Sequence, residues 1–591
     1  MIKLFKQLRP RELRTALLCA LLVLGQVYFD LRLPDYMTAL TALIKTPGTA
    51  PADIAAVGGQ MLLCALASAV LAVICGFLAA RTAAGFSFTV REKLFHHVLE
   101  LGSEELQDFS VPSLITRTTN DITQIQMIVA MGLQMVVKAP VMAIWAVIKI
   151  LGKSWQLSAV TAAFVVVLCA TIIAVLSVCL PRFRIVQKLT DQINRVAREN
   201  LTGINVVHAF NAEDYQNHKF DGYSKDMMDT QMKNQKLFSV IQPAMLLGMN
   251  GLSLAIYWLG AALLEQTAGD AARLTMFTNI VAFGTYATYV VMSFMMLVMI
   301  YMMLPSAQVS AERINAVLAR KPAVTPGAEA QSPETGTVEF CDVSFRYPEA
   351  GDDALTNISF KVQRGQTLAI IGATGSGKST LIGLIPRFYD ATKGTVLVDG
   401  RDVRDYAFDA LYDRLGYVTQ KATLFAGSVR DNVFFGQSRA AHTDDALRQA
   451  LSLSQAQEFV EKYPEGPAHA IAQLGRNVSG GQKQRLSIAR ALARGAEILI
   501  FDDSFSALDY RTDARLRAGL NEQLAAATKI IVAQRISTIR HADQILVLDR
   551  GEIVGRGTHE ELMAACPVYQ QIAASQLSAA ELAEGGAQHE A

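Results

Sequence analysis

Six apolar runs, at roughly Ala16–Leu33, Ile54–Ala80, Ile128–Leu151, Leu157–Leu180, Phe238–Leu264 and Met276–Leu304, constrain this chain more than any other feature. A helix needs about 20 apolar residues to cross a hydrocarbon core. Several of the runs exceed the length of a helix buried in a soluble core, and they carry almost no charge, so the sequence predicts six membrane spans. A chain of 591 residues is too long for one ordinary domain. Its 51% hydrophobic content and mean hydropathy of +0.26 are high for a soluble enzyme, and two unlike parts are expected. The opening MIKLFKQLRPRELR precedes a first run that ends without a small-residue cleavage signal. It reads as a retained interfacial helix and not a signal peptide.

The gaps after the second and fourth runs each span roughly fifty residues, while the others are short. Both long gaps carry charge at helical spacing: Arg81, Arg91, Glu92 and Lys93 in one, Arg182, Arg184, Lys188, Asp191, Arg195, Arg198 and Glu199 in the other. Such segments read as membrane helices that continue into water and turn back. Lys and Arg concentrate in these gaps and at the N-terminus, so the positive-inside bias predicts that they and both termini are cytoplasmic. The turns fall near Phe109-Ser110-Val111-Pro112-Ser113, followed by Arg117-Thr118-Thr119-Asn120-Asp121, and near Ala209-Phe210-Asn211-Ala212-Glu213. Composition alone reads them as solvated loops.

Within the first and third runs, Asp30, Arg32, Lys138 and Lys149 need explaining, because ionisable groups inside a membrane line a cavity or pair with one another. Arg32 and Lys149 lie near run ends and can snorkel, which leaves Asp30 and Lys138 as cavity candidates. The sixth run carries Met292, Met295, Met296, Met299, Met302 and Met303 among Phe283, Phe294, Tyr286, Tyr289 and Tyr301. Thioethers and aromatic faces suit an adaptable apolar surface, and Met292, Met295 and Met299 are candidate substrate contacts. Lipid-facing or helix-packing filler is the alternative.

After Arg320 the stretch KPAVTPGAEAQSPETG has no apolar period and reads as a linker. Residues 1–320 are thus expected to form the membrane domain, 321–335 the linker, 336–580 a second domain and 581–591 a tail. In the second domain, apolar runs at Thr367–Ile371, Ile498–Phe501, Lys529–Ala533 and Gln544–Leu548 alternate with helical stretches, the pattern of an α/β domain with a largely parallel sheet. A net charge of +1 gives no reason to invoke nucleic acid, and seven cysteines without CxxC spacing give none for zinc or a disulfide framework.

The run Thr367–Ile371 leads directly into Gly372-Ala373-Thr374-Gly375-Ser376-Gly377-Lys378-Ser379-Thr380 and then a helix. Glycines let backbone N–H groups wrap a polyphosphate, Lys378 reaches the outer phosphates and Ser379 can ligate magnesium, so the sequence predicts ATP or GTP binding. Ile498–Asp502 is an apolar strand ending in a carboxylate, the position from which a parallel sheet delivers a magnesium-binding acid. Between them, Val478-Ser479-Gly480-Gly481-Gln482 opens another helix as a second phosphate cradle. One γ-phosphate does not need two cradles, and the second is read as serving a nucleotide held by a partner chain.

These motifs in this order resemble the ATP-binding cassette family: Walker A at Gly372–Thr380, the signature at Val478–Gln482, Walker B ending at Asp502 and the D-loop Ser506-Ala507-Leu508-Asp509. The resemblance covers nearly the whole chain. It implies an all-α six-helix transmembrane domain of exporter type fused to an α/β P-loop nucleotide-binding domain, a dimer sandwiching two ATP molecules with Mg2+, and a place in the bacterial inner or plasma membrane. It implies further that Tyr347 stacks on adenine, that Gln420 is the Q-loop glutamine and a magnesium ligand beside Ser379 and Asp502, and that the two tips are coupling helices.

Three departures stand out. Asp503 occupies the position where the family places the glutamate that polarises the attacking water, Gln534 replaces the switch histidine, and Gln473 stands near a usual glutamate. Aspartate is one methylene short, and glutamine cannot become a cation. Because the binding motifs are intact, the losses are confined to hydrolysis. The combination resembles the degenerate-site subunit of heterodimeric bacterial multidrug exporters, whose partner is a second half-transporter with intact Glu and His. In such a pair Tyr347, Lys378, Asp502, Asp503 and Gln534 would hold ATP, while Ser479, Gly480 and Gln482 would complete the partner's site. The expected cargo is a hydrophobic small molecule or membrane lipid.

Overall fold

The computed structural model describes residues 2–46, 48–151, 153–348, 350–436 and 440–576. The expected tail at 581–591 lies outside them. Among the described residues, six helices are long and apolar enough to cross a membrane: Pro10–Lys45, Pro51–Glu100, Val111–Leu151, Trp155–Thr202, Glu213–Glu265 and Asp270–Leu318. They are referred to below as the first to sixth membrane helices. Each outruns the apolar segment it contains. The 50 residues of the second extend about 75 Å at 1.5 Å per residue, well beyond a hydrocarbon core. The charged gaps are therefore continuations of the membrane helices, as their helical spacing predicts.

The chain divides into two compact units, residues 1–98 with 111–319, and residues 99–110 with 320–591. In the first, the sixth helix packs along the third and first, and the fourth pairs with the fifth. Its core is aliphatic and small-residue rich, with Val23, Val27, Ala79, Ala146, Phe283 and Tyr286 buried. Gly248 and Gly260 permit close approach, since a Cβ at either would lie 2.8 Å from Leu168 or Ile280. The segment Arg117–Asp121 is not a turn at a tip. It is a π-helical turn within the third helix, with Asp121 buried and accepting from Ser310 Oγ at 2.8 Å.

The second unit holds a six-stranded sheet in the order 552–557, 544–549, 367–372, 528–532, 498–502 and 415–418. All neighbours are parallel except the 552–557 edge. The central strands are buried on both faces, Ile498–Asp502 and Thr528–Val532 without exception, which is why they read as continuous apolar runs. A second, antiparallel sheet carries Val338–Phe345 between Leu355–Val362 and Lys393–Val398. A separate helical core gathers Leu424, Val429, Leu447, Leu451, Phe459 and Leu486.

The stretch expected to be a loose linker is laid onto this unit. Gly327 and Glu329 donate backbone N–H groups to Tyr406 and Asp405 carbonyls at 2.8 and 2.9 Å, and a Cβ on Gly327 would lie 2.2 Å from the Asp405 oxygen. Ala323 N donates to the buried Glu105 carboxylate at 2.7 Å, so the helix Ser103–Gln107 is bound to the same segment. Composition hid this because backbone pairing needs no apolar period.

Candidate nucleotide-binding site

The carboxyl end of strand Thr367–Gly372 feeds the phosphate loop. Gly372 is fixed by close approach: a Cβ there would sit 2.1 Å from the Leu548 carbonyl oxygen. Gly377, at φ 98°, caps helix Lys378–Gly383. Gly375, at φ 85°, has nothing within 4 Å of where a Cβ would be, so with exposed Thr374 it forms the open crest of the loop. Ser376 is buried beneath.

Lys378 Nζ donates to the carbonyl oxygens of Gly372 and Ala373 at 2.9 and 2.7 Å. Burial holds its pKa below the ordinary lysine value, against the pull of Asp503 and Asp502. Ser379 Oγ donates to Asp502 Oδ1 at 3.0 Å. Burial raises the Asp502 carboxyl and the Asp503 charge adds to this, while Ser379 and Lys378 oppose it. A hydroxyl and a carboxylate in contact, beside the glycine-rich loop, suit Mg2+, which takes one or two carboxylates plus phosphate oxygens. The residues present therefore fit magnesium and a polyphosphate.

Tyr347 OH and Thr380 Oγ1 share a hydrogen bond of 2.9 Å. The half-buried Tyr347 ring stands edge-on to Phe345 and Tyr389, with centroids 4.9 and 5.4 Å away. The aromatic beside the loop is thus braced in place.

Asp503 follows the Walker B strand at φ 47°, a left-handed conformation uncommon for a residue with a side chain. Gln534 Nε2 donates to Asp503 Oδ2 at 2.8 Å. Burial lifts the Asp503 carboxyl, opposed first by a hydrogen bond from Gln420 and then by Lys378, Ser506 and Gln534. The structure thus gathers Lys378, Ser379, Gln420, Asp502, Asp503 and Gln534. One participant was not legible in sequence: Gln576 donates to the Gln534 carbonyl at 2.7 Å and accepts from Ile536 N at 2.9 Å, clasping the switch segment from the chain's far end.

The signature forms the start of helix Gly480–Ala493, where Ser479 and Gln482 close a capping box on each other. Ser479 and Gly480 are exposed, and a Cβ on Gly480 would meet nothing within 4 Å. Gly481 faces the D-loop, with the Ala507 carbonyl 3.4 Å from a notional Cβ. Among the described residues, no hydrogen bond joins Ser479–Gln482 to Gly372–Thr380.

In the membrane unit, Asp30 and Lys138 are brought together: Lys138 Nζ lies 3.1 Å from Asp30 Oδ2, and Ser68 Oγ donates to Asp30 Oδ1 at 2.5 Å. Lys149 does not simply snorkel. It meets Asp35 at 2.6 Å, which also accepts from Tyr286 OH at 2.6 Å. Asp35, its bond with Tyr286 and the neighbouring Lys153–Asn279 contact at 3.1 Å escaped sequence reasoning. Arg32 lies over the Tyr28 ring, 5.2 Å from its centroid. Met292, Met295 and Met299 are 42%, 38% and 43% exposed.

Comparison with known proteins agrees with this geometry. Residues 16–294 match the ABC transporter transmembrane region, and residues 355–506 match the ABC transporter ATP-binding family. An uncharacterized ABC transporter ATP-binding protein of Mycobacterium tuberculosis is 38% identical over 92% of this chain and 93% of its own length. An ATP-dependent lipid A-core flippase of Aromatoleum aromaticum is 32% identical over 85% of this chain and 82% of its own. A bacterial Atm1-family ABC exporter solved with ATP bound superposes with a TM-score of 0.79 at 24% identity, covering 96% of this chain and 98% of that one, and shares the fold. The chain is a multi-pass membrane protein of the ABC transporter family, an exporter whose transmembrane region is fused ahead of its ATP-binding domain.

Proposed function

We propose that this chain is one subunit of a heterodimeric exporter, holding ATP at a slow site while its signature completes a fast site on a second half-transporter that retains Glu and His. The observation that carries this reading is the 2.8 Å bond from Gln534 to Asp503. A general base must stand in line with the attacking water, and misplacement on the order of 1 Å costs roughly a hundredfold in rate. Asp503 is one methylene short, and one of its oxygens is engaged by an amide that cannot become a cation. Lys378, Ser379 and Asp502 keep everything needed to hold magnesium and phosphate.

ATP closure of the paired cassettes turns the membrane cavity outward, and hydrolysis at the partner's site resets it. Both termini are cytoplasmic, in the inner or plasma membrane. The cargo is an amphipathic drug or lipid. The exposed thioether row at Met292, Met295 and Met299 supports this, as does similarity to proteins named lipid A-core flippases.

ATPase and vesicle-flux assays on this chain alone and with a co-expressed second half-transporter test the proposal. Together they should turn over, mutation of the partner's glutamate should nearly stop them, and Asp503→Asn should do much less. Brisk ATPase from the single chain, abolished by Asp503→Ala, would instead mean a homodimer. Absence of flux with both chains would point to a regulatory ATP sensor.

A further inference from the structure

At the N-terminal end of the first helix, a cavity of about 260 Å³ is lined by Arg9, Arg11, Glu12 and Thr15 on one side and Arg81, Thr82, Gly85 and Phe88 of the second helix on the other. Its walls are drawn together by Thr82 Oγ1, which donates to Thr15 Oγ1 at 2.9 Å. Gly85 lets them close, since a Cβ there would lie 3.1 Å from Glu12 Oε1. Glu12 accepts the Arg9 backbone N–H at 3.0 Å, and Arg9 pairs with Glu92 at 2.8 Å. Arg11 and Arg81 have no side-chain hydrogen bond or ion pair among the described residues. Arg9, Arg11 and Arg81 against the one carboxylate of Glu12 therefore leave the cavity net positive.

Depth identifies the ligand. The first apolar run begins at Ala16 and the second ends at Ala80, so the cavity lies where hydrocarbon gives way to headgroups. Side chains four apart stack on one face of a helix. From Arg11 that face continues through Thr15 to Leu18 and Leu22, two and three turns on, and Leu18 is 46% exposed. From Arg81 another continues through Phe77 and Val73, 64% and 73% exposed. A basic cavity with two apolar tracks leading from it has the layout of a phosphate joined to acyl chains.

We infer that Arg11 and Arg81, at the cavity between the first two membrane helices, bind the headgroup phosphate of an anionic phospholipid in the leaflet on the N-terminal side. The acyl chains lie along Leu18–Leu22 and Phe77–Val73. Guanidinium forks match phosphate oxygens, and basic pockets between membrane helices hold anionic headgroups. This goes beyond the transport reading and stands whichever partner completes the dimer.

The test is native mass spectrometry of the full chain in detergent, titrated with phosphatidylglycerol, phosphatidylcholine or soluble glycerol 3-phosphate. Phosphatidylglycerol should bind in preference to phosphatidylcholine, and glycerol 3-phosphate should fail at the same concentration. Arg11→Gln and Arg81→Gln should each weaken phosphatidylglycerol about fivefold, while lipid-free thermal midpoints match the parent and so report intact folding. Arg14→Gln removes the same charge from the same helix outside the cavity and should change nothing. Equal weakening by Arg14→Gln would reduce the effect to a diffuse basic surface and overturn the site. Equal binding of phosphatidylcholine, or glycerol 3-phosphate binding as tightly as the lipid, would overturn the ligand.

Discussion

Charge is handled in opposite ways at two sites of this molecule, one in each unit. In the membrane unit two half-buried acids each meet a base: Asp30 faces Lys138 at 3.1 Å, and Asp35 faces Lys149 at 2.6 Å. In the ATP-binding unit two acids stand together, Asp502 and Asp503, while the nearby Lys378 gives its hydrogen bonds to loop carbonyls. The acids are raised and the lysine lowered by the same burial. Charge that is neutralised internally ties helices together. Charge left under-compensated is poised for a ligand that brings its own cation and anion, as a magnesium nucleotide does.

The membrane pair gives the largest way to break this contrast. Asp30→Asn leaves Lys138 unmatched and should destabilise the chain by about 3 kcal/mol, whereas adding Lys138→Met should recover most of it; thermal unfolding in detergent reads both. If the single change is silent, the pair is not holding the helices. At the ATP site the opposite outcome is expected. Lys378→Met removes a desolvated charge, so folding should be unharmed while nucleotide affinity drops on the order of thirtyfold, the cost of about 2 kcal/mol in charge-assisted bonds. Fluorescent-nucleotide titration measures it.

A smaller effect sharpens the role of Asp503. Asp503→Glu with Gln534→His should raise ATPase about tenfold, corresponding to about 1.4 kcal/mol of barrier, and more than Asp503→Glu alone. If the single change does as well, the Gln534 bond is not what restrains the carboxylate. The smallest effect is with pH. Because the folded-state carboxyls are raised, the unliganded domain gains stability as pH falls through their pKa values and loses it as pH rises through them. Magnesium-nucleotide affinity should move the other way, falling on acidification from a higher pH than ordinary aspartates would give. A titration at constant ionic strength, compared with Asp503→Asn, isolates that contribution.

Much of this was readable from residues because it is local. Six apolar runs report spans whatever they pack against, and the strands Thr367–Gly372 and Ile498–Asp502 announce themselves through a buried apolar run ending in chemistry. What was not readable is long-range or conformational. Asp35 lies past the end of the first apolar run at Leu33, yet the helix continues to Lys45 and delivers it to Lys149 and Tyr286. The left-handed backbone of Asp503 is only weakly signalled by residue type, since aspartate tolerates that region without being confined to it. The stretch after Arg320 looked featureless because its order comes from backbone pairing with Asp405 and Tyr406.

The two bonds from Gln576 to the segment around Gln534 have a practical meaning for anyone handling the protein. A truncation ahead of that glutamine deletes both bonds at once, and an affinity tag fused nearby pulls on the same residues. Kinetic differences between differently tagged preparations would then be a property of the clasp, and tagging elsewhere, with a protease-cleaved control, separates handling artefact from enzyme.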